Sequence, residues 1–128
     1  MIILLDTSTS LCRLTIVDGT VRHDYEWQAD RQLAKGLLGW LHERLVEQGT
    51  DWSHVTGLGA FMGPGSFTGL RIGLTVMNTL ADSLAVPIVG GRGDDWQNDA
   101  LSRLGDGQND QIVLPFYGSE ANITTPRK

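Results

Sequence analysis

The sequence predicts an α/β fold in which a mixed sheet and its helices follow the order β-β-β-α-β-α-β. Three features predict it. Met1 to Leu5 is an unbroken apolar run, the pattern of a strand buried on both faces. Asp18-Gly19 separates two strand-like stretches, Leu11 to Val17 and Thr20 to Trp27, and this dipeptide favours a two-residue hairpin. Two later stretches carry apolar residues at helical spacing, and each is followed by a short apolar strand.

The first helix is expected to start at Asp30 as its N-cap, with Leu33, Leu37, Trp40, Leu41 and Leu45 on one face, and to stop at Gly49. Val55 to Phe61 reads as a short central strand. Leu70 to Ala85 reads as a helix that is apolar on most faces, broken chiefly by Arg71, Asn78 and Asp82, so it must be covered. Ile88 and Val89 form another buried strand, with Pro87 at its first position, where a missing donor is tolerated. Residues 1–90 therefore make one lobe. Residues 91–128 read as connection: Gly, Asp, Asn and Gln dominate to Gln111, with a short helix around Trp96 to Leu104 and then a last strand or extended tail from Ile112 to Tyr117.

Between the central strand and the second helix lies Gly63-Pro64-Gly65-Ser66-Phe67-Thr68-Gly69-Leu70-Arg71-Ile72-Gly73. Gly63, Gly65 and Gly69 admit positive φ or close backbone approach, while Pro64 keeps Gly63 out of the helical region. Thr68 is the expected helix cap, and the free N–H groups there form an anion site. The competing reading is packing, with Gly69 and Gly73 letting the helix press against a sheet. Nucleotide motifs fail at named residues. A Walker A loop needs Lys and Ser or Thr after its last Gly, where Leu70 and Arg71 stand, and a dinucleotide fingerprint needs Gly where Thr68 stands.

Gly63 to Gly73, together with Leu4-Leu5-Asp6-Thr7-Ser8-Thr9-Ser10 and Pro87-Ile88-Val89-Gly90, resembles the bacterial TsaB (YeaZ) family. The likeness runs from Met1 to about Gly90, and Pro115-Phe116-Tyr117-Gly118 is similar to the family's C-terminal tail. The resemblance implies one lobe of the actin-like ATPase (ASKHA, ribonuclease H-like) fold, in a short form without the second lobe. It also implies a noncatalytic partner of a TsaD-like protein, in an assembly with a TsaE-like ATPase, that supports threonylcarbamoyl transfer to adenosine in transfer RNA. Contact with the RNA is then indirect. The implied interface, with TsaD or in a homodimer, uses the two helices, for which this chain supplies Leu33, Leu37, Trp40, Leu41, Leu70, Leu74 and Met77, shared with the sheet. The related TsaD proteins carry a metal-binding H-x-x-x-H whose places fall on Gly93 and Gln97, so neither metal nor cofactor is expected.

A chain of 128 residues buries roughly two thirds of its unfolded surface, enough for a core without staples. Cys12 is the single cysteine, and no secretory leader or long apolar span occurs, which predicts a cytoplasmic protein with no membrane contact. In that setting Asn122-Ile123-Thr124 and Arg92-Gly93-Asp94 are chance matches to extracellular motifs. The net charge of -5 argues against gripping a nucleic-acid backbone alone, even with Arg127 and Lys128 as a small basic tail.

Asp6 and Thr7, at the end of the first strand, stand where ATPases of this fold hold phosphate or magnesium. The alternative function is therefore a small diverged ATPase or phosphotransferase using Asp6, the glycine loop and Arg71. The local reading is a tight turn satisfied by hydroxyls. Arg71 lies in the first turn of its helix, unfavourable for a cation, so it is expected to pair with Asp6. His23, His42 and His54 lack metal-ligand spacing and a nucleophile beside them, which also leaves a peptidase reading without machinery. Trp27, Trp40, Trp52 and Trp96 are too scattered for a base-stacking platform.

Overall fold

A computed structural model describes residues 1–117 of the chain. Its strands are β1 (Ile2–Asp6), β2 (Leu11–Asp18), β3 (Val21–Gln28), β4 (Gly57–Phe61) and β5 (Ile88–Gly91). They form one sheet ordered β3-β2-β1-β4-β5. The Asp18-Gly19 hairpin is present, with Gly19 at φ 63 and Asp18 paired to Val21. β1 runs antiparallel to β2 and parallel to β4, and β4 runs parallel to β5. The sheet is mixed, as expected from the sequence.

The alternation of side chains along β1 divides the interior. Ile3 and Leu5 join Cys12, Leu14 and Ile16 beneath helices α1 (Leu33–Glu47) and α2 (Phe67–Leu84). Leu4 faces the other way, with Val17 and Val89, under α3 (Trp96–Gly105). Two helices thus cover one face and one covers the other. The Gly- and Asp-rich segment expected to be connection does contribute core, since Trp96 and Ala100 of α3 are buried. β4 makes room for it: a Cβ on Gly59 would stand 2.5 Å from Leu4 Cδ2 and 3.2 Å from the Ala100 methyl carbon.

Two caps differ from expectation. Asp30 does not cap α1. It lies at φ 48 in a one-turn 3-10 helix, Asp30–Gln32, where its carboxylate accepts from Gln28 Nε2 at 2.8 Å, and α1 follows Gln32. α2 begins at Phe67, three residues earlier than its apolar pattern indicates, because Ser66 rather than Thr68 is the cap: Ser66 Oγ accepts from the Gly69 N–H at 3.2 Å. After Gln111 the chain is extended but adds no strand to the sheet, and Gly118, Asn122, Ile123, Thr124, Arg127 and Lys128 lie outside the described residues.

Candidate functional site

The turn after β1 and the glycine loop before α2 are built as one unit. Asp6 Oδ1 accepts from the Ser8 N–H at 2.8 Å, which closes the turn locally. The Ser8 carbonyl accepts from the Ser66 N–H at 2.7 Å, and the buried Thr7 hydroxyl donates to the Gly69 carbonyl at 2.8 Å. These contacts demand small residues on the loop side. A Cβ on Gly65 would stand 2.5 Å from Ser8 Cβ, one on Gly69 2.4 Å from the Thr7 carbonyl oxygen, and one on Gly73 2.0 Å from Thr7 Oγ1. Close approach therefore accounts for Gly65, Gly69 and Gly73. Gly63, at φ 127 before a cis Pro64, needs the freedom only glycine has.

Asp6 and Arg71 do not meet. Arg71 is exposed, with its guanidinium 5.2 Å from the centre of the Phe67 ring, a cation–π contact that gives the cation a partner on its own helix. Asp6 instead borders a polar cleft of about 290 Å³ with Arg13, Arg22, Asp94, Asp95, Gln97 and Asn98. The ladder register explains Arg13, which pairs directly with Asp6 across β1 and β2. Hairpin register was the signal that could have found it. Arg22 is held by α3, donating to Asn98 Oδ1 at 2.7 Å. At the two places related to the metal motif, Gly93 has no side chain and Gln97 donates to Thr15 Oγ1 at 3.1 Å. Among the described residues no group of three or more His, Cys, Asp or Glu is placed to hold a metal ion.

The apolar residues expected at a helical interface are all inside the lobe. Leu33, Leu37, Trp40, Leu41, Leu70, Leu74 and Met77 are buried, because both helices lie flat on the sheet and turn their most apolar stripe inward. The outward surface is one helical position away. Ala34, Thr68, Arg71, Ile72, Thr75 and Val76 line a shallow groove of about 340 Å³ between α1 and α2. Leu38, one turn beyond Ala34, is 52% exposed, and Phe67, at the start of α2, is 56% exposed.

Comparison with known proteins agrees with the fold. The family model for TsaD, tRNA N6-adenosine threonylcarbamoyltransferase, matches residues 27–90, half of the chain. The chain belongs to this family. Within it the likeness is to TsaB. The tRNA threonylcarbamoyladenosine biosynthesis protein TsaB of Escherichia coli (strain K12) is 33% identical over 90 residues, which are 70% of this chain and 38% of that protein. The protein of the same name from Haemophilus influenzae is 32% identical over 85 residues, 66% of this chain and 36% of its own length. The solved structure of YeaZ from Pseudomonas aeruginosa superposes with a TM-score of 0.67 at 31% identity, covering 71% of this chain and 43% of its own. The chain thus spans less than half the length of these relatives. Among the described residues no helix is long and apolar enough to cross a membrane.

Proposed function

We propose that this lobe is a noncatalytic subunit that binds a TsaD-like protein, in an assembly with a TsaE-like ATPase, and so supports threonylcarbamoyl transfer to adenosine in transfer RNA. The observation that carries the proposal is the α1–α2 groove. Ile72 and Val76 are half-buried in its floor while Leu38 and Phe67 stand exposed beside it, an apolar surface rimmed by Thr68, Arg71 and Thr75. Contiguous apolar surface with a polar rim is the anatomy of a protein interface. The shared name of the curated relatives supplies the process.

Two further observations support a binding role over chemistry. Asp6 holds its own turn through Ser8, and Thr7 holds α2 through Gly69, so the residues that would handle a phosphate are engaged in architecture. The same groove would serve a homodimer of the free protein, in which a second copy covers the face until the partner arrives.

The test is co-purification with the TsaD protein of the same organism, followed by size exclusion with light scattering. A stable complex is expected, and Ile72→Asp combined with Val76→Asp should weaken it at least roughly tenfold with the far-UV circular dichroism unchanged, as expected when charge enters an apolar contact. Absence of association with and without nucleotide, or unchanged binding by the double variant, would overturn the proposal.

A further inference from the structure

An edge strand presents unpaired backbone groups that invite another chain. β5 is such an edge, at the end of the sheet opposite β3. The groups of Ile88 and Gly90 that point away from β4 are nevertheless all satisfied. The Ile88 N–H donates to Asn109 Oδ1 at 3.1 Å, and its carbonyl accepts from the Asp110 N–H at 2.8 Å. The Gly90 N–H donates to Asp110 Oδ2 at 2.9 Å, and its carbonyl accepts from Arg103 Nη1 at 2.9 Å. Arg103 and Asp110 also form an ion pair, so one pair of side chains serves both sides of Gly90. Three of these four partners are side-chain groups, standing where a neighbouring strand's backbone would.

Beyond Asp110 the chain turns at Gln111, φ 69, where the Ile112 N–H donates to the Asp110 carbonyl at 2.8 Å, and then runs on gripped by its backbone. The Val113 N–H donates to Asn78 Oδ1 at 2.9 Å, and Asn78 Nδ2 donates to the Val113 carbonyl at 3.0 Å. The Val113 side chain is 3% exposed and rests over Gly90, where a Cβ would approach its Cγ1 to 2.8 Å. The Phe116 N–H donates to the Met62 carbonyl at 2.7 Å, and the Arg92 guanidinium lies 4.2 Å from the Phe116 ring centre. The Phe116 carbonyl oxygen occupies the space beside Gly63, 2.0 Å from where a Cβ would be, and the Tyr117 ring stacks on Phe67 at 4.7 Å. Main-chain hydrogen bonds combined with seats for side chains are how grooves hold peptides, and here both fall on Val113 and Phe116.

We infer that the groove bounded by the β5 edge, Asn78 of α2 and the glycine loop is a binding site for a peptide segment with a turn after its carboxylate, occupied in cis by residues 109–117. Its ligand chemistry is a carboxamide–carboxylate pair on the β5 edge, a small β-branched residue three positions later for the Gly90 pocket, and an aromatic residue three beyond that under Arg92. The family match ends at residue 90, before this segment begins. The inference stands on these contacts and not on the partner proposed above, whose surface lies between α1 and α2 and meets this groove at Phe67.

The first test needs no substitution. The Ile88 and Gly90 amides have no ladder partner, so hydrogen exchange in the unaltered full chain should be slowed at both by at least roughly a hundredfold relative to free peptide. Exchange at the free-peptide rate overturns the inference. The second test empties the groove in the full chain with Asn109→Ala, Asp110→Ala and Val113→Asp together. A synthetic peptide of residues 108–117 should then bind one to one and restore protection to both amides, while the same peptide carrying Val113→Asp should not; failure of the unaltered peptide to bind a natively folded variant overturns it. Should that variant not fold, Asn78→Leu, which keeps the helix and removes both bonds to Val113, should speed exchange at the Val113 amide at least roughly tenfold. An unchanged rate there overturns the inference as well.

Discussion

A single methyl group separates the observed junction of α2 with the first turn from one that cannot close. Gly73 faces the Thr7 hydroxyl, and the methyl of Gly73→Ala would stand 2.0 Å from its oxygen, against which the hydroxyl cannot retreat without leaving the Gly69 carbonyl. Overpacking of this kind costs about 1–3 kcal/mol, and a lower urea midpoint with unchanged slope is the expected result. Cys12 offers a second residue-scale prediction. Burial, and secondarily the negative charge of Asp6, push its thiol from 9.0 up to about 12. The folded protein therefore keeps this proton in a range where the unfolded chain has lost it. The Cys12 contribution is whole below pH 9 and falls as pH rises toward 12, with a slope of about 1.4 kcal/mol per pH unit. Denaturant titrations from pH 8 upward should show that part of the loss in the unaltered protein and not in Cys12→Ala; identical slopes would refute it. The sequence drew attention to Gly69 and Gly73 as packing glycines, but what they pack on, Thr7, is 62 positions from Gly69 and came only with the fold.

At the scale of elements, most of the architecture was legible because its signals are local. The apolar run of β1, the Asp18-Gly19 turn and the helical spacing from Leu33 to Leu45 each act within a few residues, and all three elements formed where expected. Caps and faces were less legible. Ser66 and Thr68 are both good capping residues, and the choice went to Ser66, whose N–H is already fixed by the Ser8 carbonyl. Ser66→Ala should therefore cost about 1 kcal/mol, while Thr68→Ala, which removes no cap, should leave the denaturation midpoint nearly unchanged. The resemblance implies an interface on the two helices, shared with the sheet, and periodicity marks an apolar stripe without saying what covers it. Leu74 and Val76 lie two positions apart on opposite sides of that distinction, buried and half-buried. A charge at Leu74 should unfold the lobe, whereas Val76→Asp should leave a folded protein impaired in partner binding, and circular dichroism beside light scattering separates the two.

For the molecule as a whole, the short helix expected around Trp96 to Leu104 did form, as Trp96–Gly105, but the rest of the chain after Gly90 was less legible for a physical reason. The residues that follow cover the sheet with few apolar side chains, and the β5 edge is held by the side chains of Asn109, Asp110 and, from α3, Arg103 rather than by a hydrophobic pattern. Composition alone reads such a stretch as linker. The charge, by contrast, is a global property that the sequence states directly, and it constrains function. With a net charge of -5 the chain meets a phosphate backbone with like sign, and the counterion release that drives nucleic-acid binding needs several Lys or Arg on one surface. Arg13 and Arg22 do converge at the Asp6 cleft, but Asp94 and Asp95 line the same cleft and offset them. In a filter-binding assay at physiological salt the isolated chain should therefore retain no transfer RNA, even at concentrations near the roughly 10⁻⁴ M where nonspecific binders of basic proteins begin to act. Under the proposed function retention should appear only when a TsaD-like protein is added, and its salt dependence should then be that of the added protein alone. Tight, salt-sensitive binding by this chain by itself would mean that the RNA contacts the lobe directly, and the subunit's role would have to be rebuilt around that surface.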